Sequence, residues 1–266
     1  LDMEGDLSTN AYNYMRPFEP TADEYIVKSN RANNLSVIVE DSKACSRFIA
    51  TRIDNIKVIE GNNFLSDKLS AIGQKSINNI VDLTNHVMYH TNKPLHAYDA
   101  DVIKGAIVVR YAREGETLIT LDDKELKLDT DTLVIADDEK VLGLAGIKGG
   151  KYSGVSEATT SIILESANFN PGLIRRTAQK YGYRTDASKR FENGLADELC
   201  EVGTNYFCNS LLSIHNGGDS AKFGLGGDLI IHKSIESNIY KPKTKYICSV
   251  SMDEVNSKLG ALLSES

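Results

Sequence analysis

Apolar residues at helical spacing mark residues 77–99 as the stretch around which the chain is organised. Its first half, INNIVDLTNHVMYH, repeats apolar side chains over 77–88 with the period of a buried helix. Its second half, TNKPLHAYD, becomes polar and contains Pro94, which predicts a turn that holds His96. A buried helix that leads directly into a polar turn is typical of a functional site.

Two half-buried strands and one helix are predicted before this stretch. Apolar and polar residues alternate over 35–40 and over 47–60, with a turn over 41–46 between them. Residues 63–73 (NFLSDKLSAIG) carry apolar side chains at helical spacing and end on Gly73, a residue type that commonly closes helices.

After residue 105 the pattern changes to short strands. AIVVRYA, TLITL, ELKL, TLVIA and VLGLA follow one another up to residue 145 with turn residues between them, as in an antiparallel meander or barrel. One more predicted strand, SIILESA, covers 161–167.

Helices return after this strand. Asn170 can cap a helix that Pro171 opens and Gly182 closes, and a longer helix is predicted over 195–215. Two strand-like segments, LIIH and YICSV, precede a short helix that a capping box of Ser251 and Glu254 would open. The sequence therefore predicts an α+β fold with a mostly antiparallel, barrel-like sheet and flanking helices.

Three regions are expected along the chain. Residues 1–34 have no sustained periodicity and are interpreted as a linker or edge segment, 35–235 as the main domain, and 240–266 as the truncated start of another module. Because the chain starts at Leu1 without Met, we expect a fragment of a longer protein.

Composition limits the classes of function. The 266 residues are 41% apolar, which is enough for the core of one large or two modest domains. A net charge of -7 argues against non-specific attachment to nucleic acid, so such a contact would need a local basic patch. The four scattered cysteines form no C-x-x-C pair, which fits a reducing cytoplasm. No apolar run is long enough to span a bilayer, so no membrane partner is expected.

One face of the predicted helix is a candidate metal site. Asp82, His86 and His90 lie four residues apart and would share that face. The segment HVMYH lacks the Glu that follows the first His in the zinc hydrolase motif, and no fourth ligand is evident. The alternatives are a solvated helix face and a pocket lined by amides, hydroxyls and one imidazole. The metal alternative is the weakest, and we predict no metal site.

Three further features favour a pocket. His96 is a candidate catalytic imidazole or a structural one. Glu165 alternates with Ile163 and Ala167 on one strand face, so it is either a buried carboxylate that needs a partner or ligand, or an outward-facing glutamate. The run GLAGIKGG over 143–150 departs from the phosphate-loop pattern and predicts a tight turn or a close approach of backbone to ligand.

Basic side chains cluster over 174–190, where the same stretch contains only Asp186 as an opposing charge. In an acidic chain this cluster would suit a phosphate backbone, although a solvated helix face is the usual explanation of such a run. Its members are Arg175, Arg176, Lys180, Arg184, Lys189 and Arg190.

Five segments stand in a characteristic order and spacing. They are INNIVDLTN (77–85), PLHAYD (94–99), GLAGIKGG (143–150), LESANF (164–169) and TDASKRFENG (185–194). Together they resemble the β subunit of bacterial-type phenylalanyl-tRNA synthetase, in its central B3/B4 module. The resemblance covers residues 35–218, and the tail after residue 240 resembles the start of the next module, B5.

The resemblance implies an editing site that hydrolyses tyrosine wrongly esterified to the phenylalanine tRNA. A pocket for Phe rejects an added hydroxyl poorly, whereas a site built to bind that hydroxyl strongly prefers Tyr. By resemblance, Glu165 accepts the hydroxyl, and His96 positions or activates the water. The implied substrate lining also includes Thr84 and Asn85 near the ester, Gly146 and Gly149 against the ligand, and Thr185 with small Ala187 beside the ring.

The same resemblance implies partners and cofactors for the whole enzyme. Two α and two β subunits would assemble with tRNA(Phe), and the α subunit would carry the synthetic site with ATP and Mg, leaving no cofactor in this chain. One alternative is a tRNA-docking and structural module without catalysis. A freestanding aminoacyl-tRNA deacylase is less favoured, because the tail begins another module.

Several positions depart from the family's usual pattern. They flank the implied lining, so they bear on packing and tRNA contacts more than on the chemistry. The departures are Lys75 and Ser76 for Arg-Pro, Asn92 and Lys93 for Gly-Gln, Lys148 for Met, Asn193 for Arg, and His86 and His90 for Tyr and Glu.

Overall fold

A computed structural model describes residues 35–60, 64–216, 223, 225–237 and 251–259. The predicted segment 1–34 and the predicted strand YICSV lie outside the described residues. The strands are β1 (Val37–Val39), β2 (Cys45–Ile56), β3 (His96–Asp99), β4 (Ile107–Tyr111), β5 (Thr117–Ile119), β6 (Glu125–Lys127), β7 (Leu133–Ala136), β8 (Val141–Leu144), β9 (Lys148–Gly149), β10 (Ser161–Phe169), β11 (Leu225–Ile231) and β12 (Ile235–Glu236). The helices are α1 (Phe64–Ala71), α2 (Asn79–Thr91), α3 (Pro171–Tyr181), α4 (Asp186–Phe191), α5 (Leu199–Asn216) and α6 (Met252–Leu259).

The strands form two larger sheets and one hairpin. The first sheet has the order β1-β4-β7-β8-β9 and is antiparallel except for the pair β1 and β4. The second has the order β11-β2-β10-β3, with β12 also paired to β2, and is antiparallel throughout. Strands β5 and β6 pair separately. The α+β class and the dominance of antiparallel pairing are confirmed, but the described strands do not close into a barrel, so the barrel-like part of the prediction is not confirmed.

The second sheet lies in the middle of the domain. Because side chains alternate along a strand, β10 points Ile163 and Ala167 toward the first sheet and Ile162 and Leu164 toward helices α2 and α5. An apolar core therefore fills the space on each face of the sheet. Glu165 shares the face of Ile163 and Ala167, and so it points into the core between the two sheets.

Capping residues fix both ends of α3. The side chain of Asn170 accepts hydrogen bonds from the N–H groups of Gly172 and Leu173, Pro171 occupies the first turn, and Gly182 ends the helix with φ of 70°. These are the N-cap, the first-turn proline and the left-handed C-cap expected from the residue types. The prediction for this helix is confirmed at both ends.

The organising stretch needs two corrections. Asn78 caps α2, so Ile77 lies before the helix and is 54% exposed instead of buried. His96 does not lie in a turn but begins β3, since the chain beyond Pro94 pairs with β10. The short helix α4 was not predicted at all.

Candidate functional site

Glu165 is a buried carboxylate in the middle of β10. Only 6% of its surface is exposed, so the alternative of an outward-facing glutamate is wrong. Tyr98 on β3 donates its hydroxyl to Glu165 Oε2, and no described residue donates to the other oxygen, Oε1. Burial raises the pKa of Glu165 to about 7, against the smaller lowering effects of the Tyr98 hydrogen bond and the charge of Lys93. The carboxyl group is therefore about half ionised at neutral pH.

His96 lies directly opposite Glu165 in the ladder between β3 and β10. Its ring meets the ring of Tyr98 edge-on, with centroids 4.6 Å apart. Although the residue is partly exposed, its Nε2 atom is enclosed and has no hydrogen-bond partner among the described residues. Burial lowers the pKa of His96 to about 4, so the imidazole is neutral at pH 7. An enclosed ring nitrogen without a partner is available to a ligand or a water.

The glycine run forms the turn between β8 and β9, and two of its glycines have different surroundings. A Cβ atom on Gly149 would lie 2.7 Å from Cε1 of His96, so only glycine allows the imidazole ring to approach this closely. Gly146 has φ of 66°, and its Cβ atom would lie 2.9 Å from the rings of Phe169 and Phe191. The run thus contains a tight turn and a close approach of its backbone to the His96 ring. The contact of Gly146 with a substrate stays a prediction, since core side chains fill the space beside it.

Helix α4 is held against the same turn. Thr185 caps the helix and donates its hydroxyl to the carbonyl of Ile147 at 3.0 Å. Tyr89 on α2 donates to the carboxylate of Asp186 at 2.8 Å. Ala187 is partly buried against the core between the sheets. These contacts bring Thr185 and Ala187 to the glycine turn, on the side of the core into which Glu165 points.

Thr84 and Asn85 lie on α2. Thr84 is 5% exposed, and its hydroxyl donates to the carbonyl of Val81 in its own helix at 2.7 Å. Asn85 is partly exposed. No hydrogen bond between described residues joins either of them to Glu165 or His96, so their contacts with a substrate stay predictions.

Lys93 is a fully buried lysine beside this pocket. Its side chain is 0% exposed, and its Nζ atom donates to the carbonyl of Ala167 at 2.5 Å and lies 5.1 Å from the ring centroid of Phe191. Gly203 on α5 leaves room for the stem, because a Cβ atom there would lie 2.9 Å from Cγ of Lys93. As a departure from the family pattern, Lys93 was expected only to flank the site. The structure instead buries its charge near Glu165.

Sequence reasoning missed both Tyr98 and Lys93 as parts of the pocket. A strand assignment for HAYD would have found Tyr98, because residues two apart share one strand face with His96. No pattern around Lys93 signals a buried charge, since its partners come from distant segments.

The metal alternative finds no support in the described residues. The carboxylate of Asp82 accepts a hydrogen bond from the N–H of Ile77 at 2.8 Å, in front of the helix. The rings of His86 and His90 pack against each other and against Tyr206. No cluster of three or more His, Cys, Asp or Glu residues in the described part of the chain could hold a metal ion.

Carboxylates from other segments partly neutralise the basic cluster. Lys180 lies 2.6 Å from Asp129 and 2.7 Å from Asp131, and Arg184 lies 3.4 Å from Glu192. Asp186 is therefore not the only opposing charge.

The other members of the cluster differ in exposure. Lys189 pairs with Asp186 at 3.2 Å, and the guanidinium of Arg190 lies 4.8 Å from the ring centroid of Tyr89. Arg175 and Arg176 are exposed, and neither forms an ion pair with a described residue. None of the described helices has the length and apolar character needed to cross a membrane.

The fold defines an α+β domain that places a buried carboxylate, Glu165, opposite the imidazole of His96 on neighbouring strands of its second sheet. The family model of the B3/4 domain matches residues 44–216. The chain therefore belongs to the B3/4 domain family, and the resemblance inferred from its five segments is confirmed.

Curated relatives agree with this family. The phenylalanine–tRNA ligase beta subunit of Protochlamydia amoebophila is 50% identical over 163 residues, which are 61% of this chain and 20% of the relative. That of Aquifex aeolicus is 38% identical over 232 residues, which are 87% of this chain and 28% of the relative. An N-terminal fragment of the phenylalanyl-tRNA synthetase beta-subunit from Pyrococcus horikoshii is 15% identical with a TM-score of 0.47, covering 87% of this chain and 61% of that one. The chain thus spans 20% to 28% of the length of these two curated relatives.

Proposed function

We propose that this chain is the editing part of a phenylalanine–tRNA ligase β subunit and hydrolyses tyrosine wrongly esterified to tRNA(Phe). One observation carries the proposal: the buried carboxylate of Glu165 keeps an unused oxygen, and the residue paired with it on the next strand is His96, whose Nε2 atom has no partner among the described residues. The relatives' names support the tRNA and the ligase, and the pocket supports the preference for a hydroxyl.

Selection would rest on Oε1 of Glu165. A tyrosyl group can donate its hydroxyl to this oxygen, whereas a phenylalanyl group would cover the oxygen and leave it without a donor. A buried acceptor left unpaired costs about 1–3 kcal/mol, which corresponds to a preference of about 5- to 150-fold. Binding of the hydroxyl would also favour the charged carboxylate, so the preference for Tyr should grow as pH rises through the pKa of Glu165 near 7.

His96 would position the water. In ester hydrolysis the water oxygen adds to the carbonyl carbon, the bond to the ribose oxygen breaks, and that oxygen takes a proton. With a pKa of about 4, the imidazole of His96 is a weak base, so it would orient the water by accepting a hydrogen bond more than by removing a proton. The absence of a side chain on Gly149 lets the ring reach this place.

The parent enzyme belongs to the same proposal. We expect an α subunit that carries the synthetic site with ATP and Mg, an assembly of two α and two β subunits, binding of tRNA(Phe), and a cytoplasmic location. The residues of this chain take no part in the ATP chemistry under this proposal.

A second candidate function is a tRNA-docking and structural module without catalysis. One observation favours it: Tyr98 already donates a hydroxyl to Glu165, so the chain itself satisfies part of the carboxylate. If Tyr98 alone were the partner that Glu165 requires, the pocket would need no substrate hydroxyl.

Deacylation separates the two functions. Release of amino acid from Tyr-tRNA(Phe) and Phe-tRNA(Phe) would be measured with the chain, with Glu165→Ala, and with Glu157→Ala as a control at an exposed glutamate. Editing predicts preferential Tyr release that Glu165→Ala loses and Glu157→Ala keeps. Equal preference in all three proteins would refute the role of Glu165. If no protein releases Tyr, the assay is repeated with the reconstituted αβ enzyme, and failure there supports the docking function.

A further inference from the structure

A fully buried lysine requires a compensating partner. Removing an ammonium group from water is costly unless hydrogen bonds and an opposite charge replace the water. The carbonyl of Ala167 accepts a hydrogen bond from Lys93 and the thiol of Cys200 is a second partner, but no described carboxylate is close enough to form an ion pair with it. The opposite charge must therefore act over a longer distance.

Glu165 is placed to supply that charge. Lys93 bonds the carbonyl of Ala167, which lies two residues after Glu165 on β10, and its Nζ atom lies 5.1 Å from the ring centroid of Phe191, in the core that Glu165 enters. The ladder between β3 and β10 pairs His96 with Glu165, so Lys93, three residues earlier, lies beside the next residues of β10. Burial lowers the pKa of Lys93, and Cys200, Cys45 and Glu165 oppose this effect in decreasing order, Glu165 being the carboxylate among them.

The other titratable groups around Glu165 are uncharged near neutral pH. Those that face it from the neighbouring elements are His96 and Tyr98 on β3 and Cys45 on β2, while Cys200 on α5 is a partner of Lys93. Burial raises the pKa values of the two thiols and of the Tyr98 hydroxyl and lowers that of His96 to about 4. Arg47, further along β2, is already bound by Glu236 at 2.6 Å. Among the residues that the structure describes, Lys93 is thus the cation whose charge acts on Glu165.

We propose that Lys93 is a positioning residue for Glu165: its buried ammonium favours the charged form of the carboxylate, which is the form that accepts a substrate hydroxyl. The inference rests on the proposed function for what Glu165 selects, but the interaction between the two charges can be tested without any substrate. Lys93 acts through Glu165 and need not touch the ligand.

Infrared titration of the chain tests this interaction directly. The carboxyl band of Glu165 is identified as the band that Glu165→Gln removes, and its ionisation is followed in Lys93→Gln, in Lys93→Met and in the control Lys104→Gln, which changes an exposed lysine. Both Lys93 variants should raise the ionisation midpoint by about one pH unit, because each removes the positive charge. Glutamine can still donate a hydrogen bond and methionine cannot. A shift in Lys93→Met alone would mean that only the hydrogen bond matters, and a shift in neither variant would mean that Lys93 has no influence; each overturns the proposal.

The deacylation assay shows whether this interaction serves editing. A midpoint raised from about 7 to about 8 lowers the ionised fraction at pH 7, so Tyr release by Lys93→Gln should be about five-fold slower at pH 7 and recover near pH 9. Infrared shifts without deacylation by the wild-type chain or the αβ enzyme would remove the proposed function and leave the inference standing. Deacylation without infrared shifts would overturn the inference about Lys93 and leave the proposed function standing.

Folding provides a second test if Lys93→Gln does not fold. The double variant Lys93→Gln/Glu165→Gln removes both charges and should fold at least as well as Glu165→Gln. A double variant that stays unfolded while Glu165→Gln folds would show that Lys93 is needed for packing and not for the charge of Glu165.

Discussion

Glu165 holds its proton more tightly in the folded chain than in the unfolded one, whereas His96 holds its proton less tightly. The pKa of Glu165 rises from 4.5 to about 7, so the unfolded state loses the proton first and stability falls as pH rises through this range. The pKa of His96 falls from 6.5 to about 4, so the unfolded state binds the proton first as pH drops, and stability rises with pH through that range. The two groups therefore change the stability of the fold in opposite directions, over overlapping ranges of pH.

Variants that remove one of these two titratable groups should therefore show the pH effect of each group separately. Relative to wild type, Glu165→Gln should gain stability as pH rises from about 4.5 to 6.5, and His96→Asn should lose it, each by about 3 kcal/mol at most. Urea unfolding at successive pH values measures both slopes. The other titratable groups are common to all three proteins and cancel in the differences. Parallel curves for the three proteins would contradict the opposed shifts.

Gly149 and Gly146 should respond differently to alanine. In Gly149→Ala the new Cβ atom would lie 2.7 Å from the His96 ring, so the ring must move and Tyr release should fall about 10-fold or more. Gly146→Ala instead meets two phenylalanine rings at a positive φ, so it should lower stability by about 1–3 kcal/mol.

Nuclear magnetic resonance and unfolding measurements distinguish these two effects. The Cε1–H resonance of His96 should shift in Gly149→Ala and stay in place in Gly146→Ala, with unfolding measured on both. An unchanged His96 resonance in Gly149→Ala would show that the ring does not depend on this contact.

Elements with local signals could be predicted, and elements defined by distant partners could not. The caps of α3 are consecutive in sequence, so residue types alone locate both of its ends. The sequence pattern predicts a turn at strand β3, because its four residues are recognised as a strand only through pairing with β10. Helix α4 has six residues, too few for a hydrophobic period, and its capping box uses Ser188 where the common pattern has Glu or Gln.

The candidate site divides in the same way. Alternation within β10 predicted that Glu165 shares a face with Ile163 and Ala167, its near neighbours in sequence, but left open whether the carboxylate is buried. Tyr98 and Lys93 approach this carboxylate from a segment about 70 residues earlier, and a single sequence contains no signal for such a contact. The sequence therefore points to the central residue of the candidate site but not to the two residues that act on it.

The attachment of α4 to α2 can be loosened without touching the pocket. Tyr89→Phe removes the hydrogen bond to Asp186 and should cost about 0.5–1.5 kcal/mol. The loss should be concentrated in residues 186–191, whose amide hydrogens should exchange several-fold faster. Tyr152→Phe is the matched control, because its hydroxyl bonds the carbonyl of Val102 on an exposed loop. Equal exchange in both variants would mean that α4 is held by Thr185 and the core alone.

At the scale of the whole molecule, an acidic chain must meet a polyanion through a small part of its surface. The net charge of -7 makes long-range attraction of tRNA by the whole chain unfavourable. Within the basic cluster, Lys180 is held by two aspartates, so contact with a phosphate would break existing ion pairs. Arg176 has no such partner among the described residues, and its guanidinium can take a phosphate at little cost.

Salt dependence should distinguish these two basic residues. Binding of tRNA(Phe) to the chain would be measured between about 50 and 200 mM salt, the range over which phosphate contacts lose most affinity. Arg176→Gln should weaken binding several-fold and reduce the slope of log affinity against log salt by about one. Lys180→Gln, which removes the same formal charge, should leave the slope nearly unchanged because no phosphate contact is lost. Equal slopes in the two variants would place the tRNA elsewhere on the molecule, since a shared effect reports only the change in net charge.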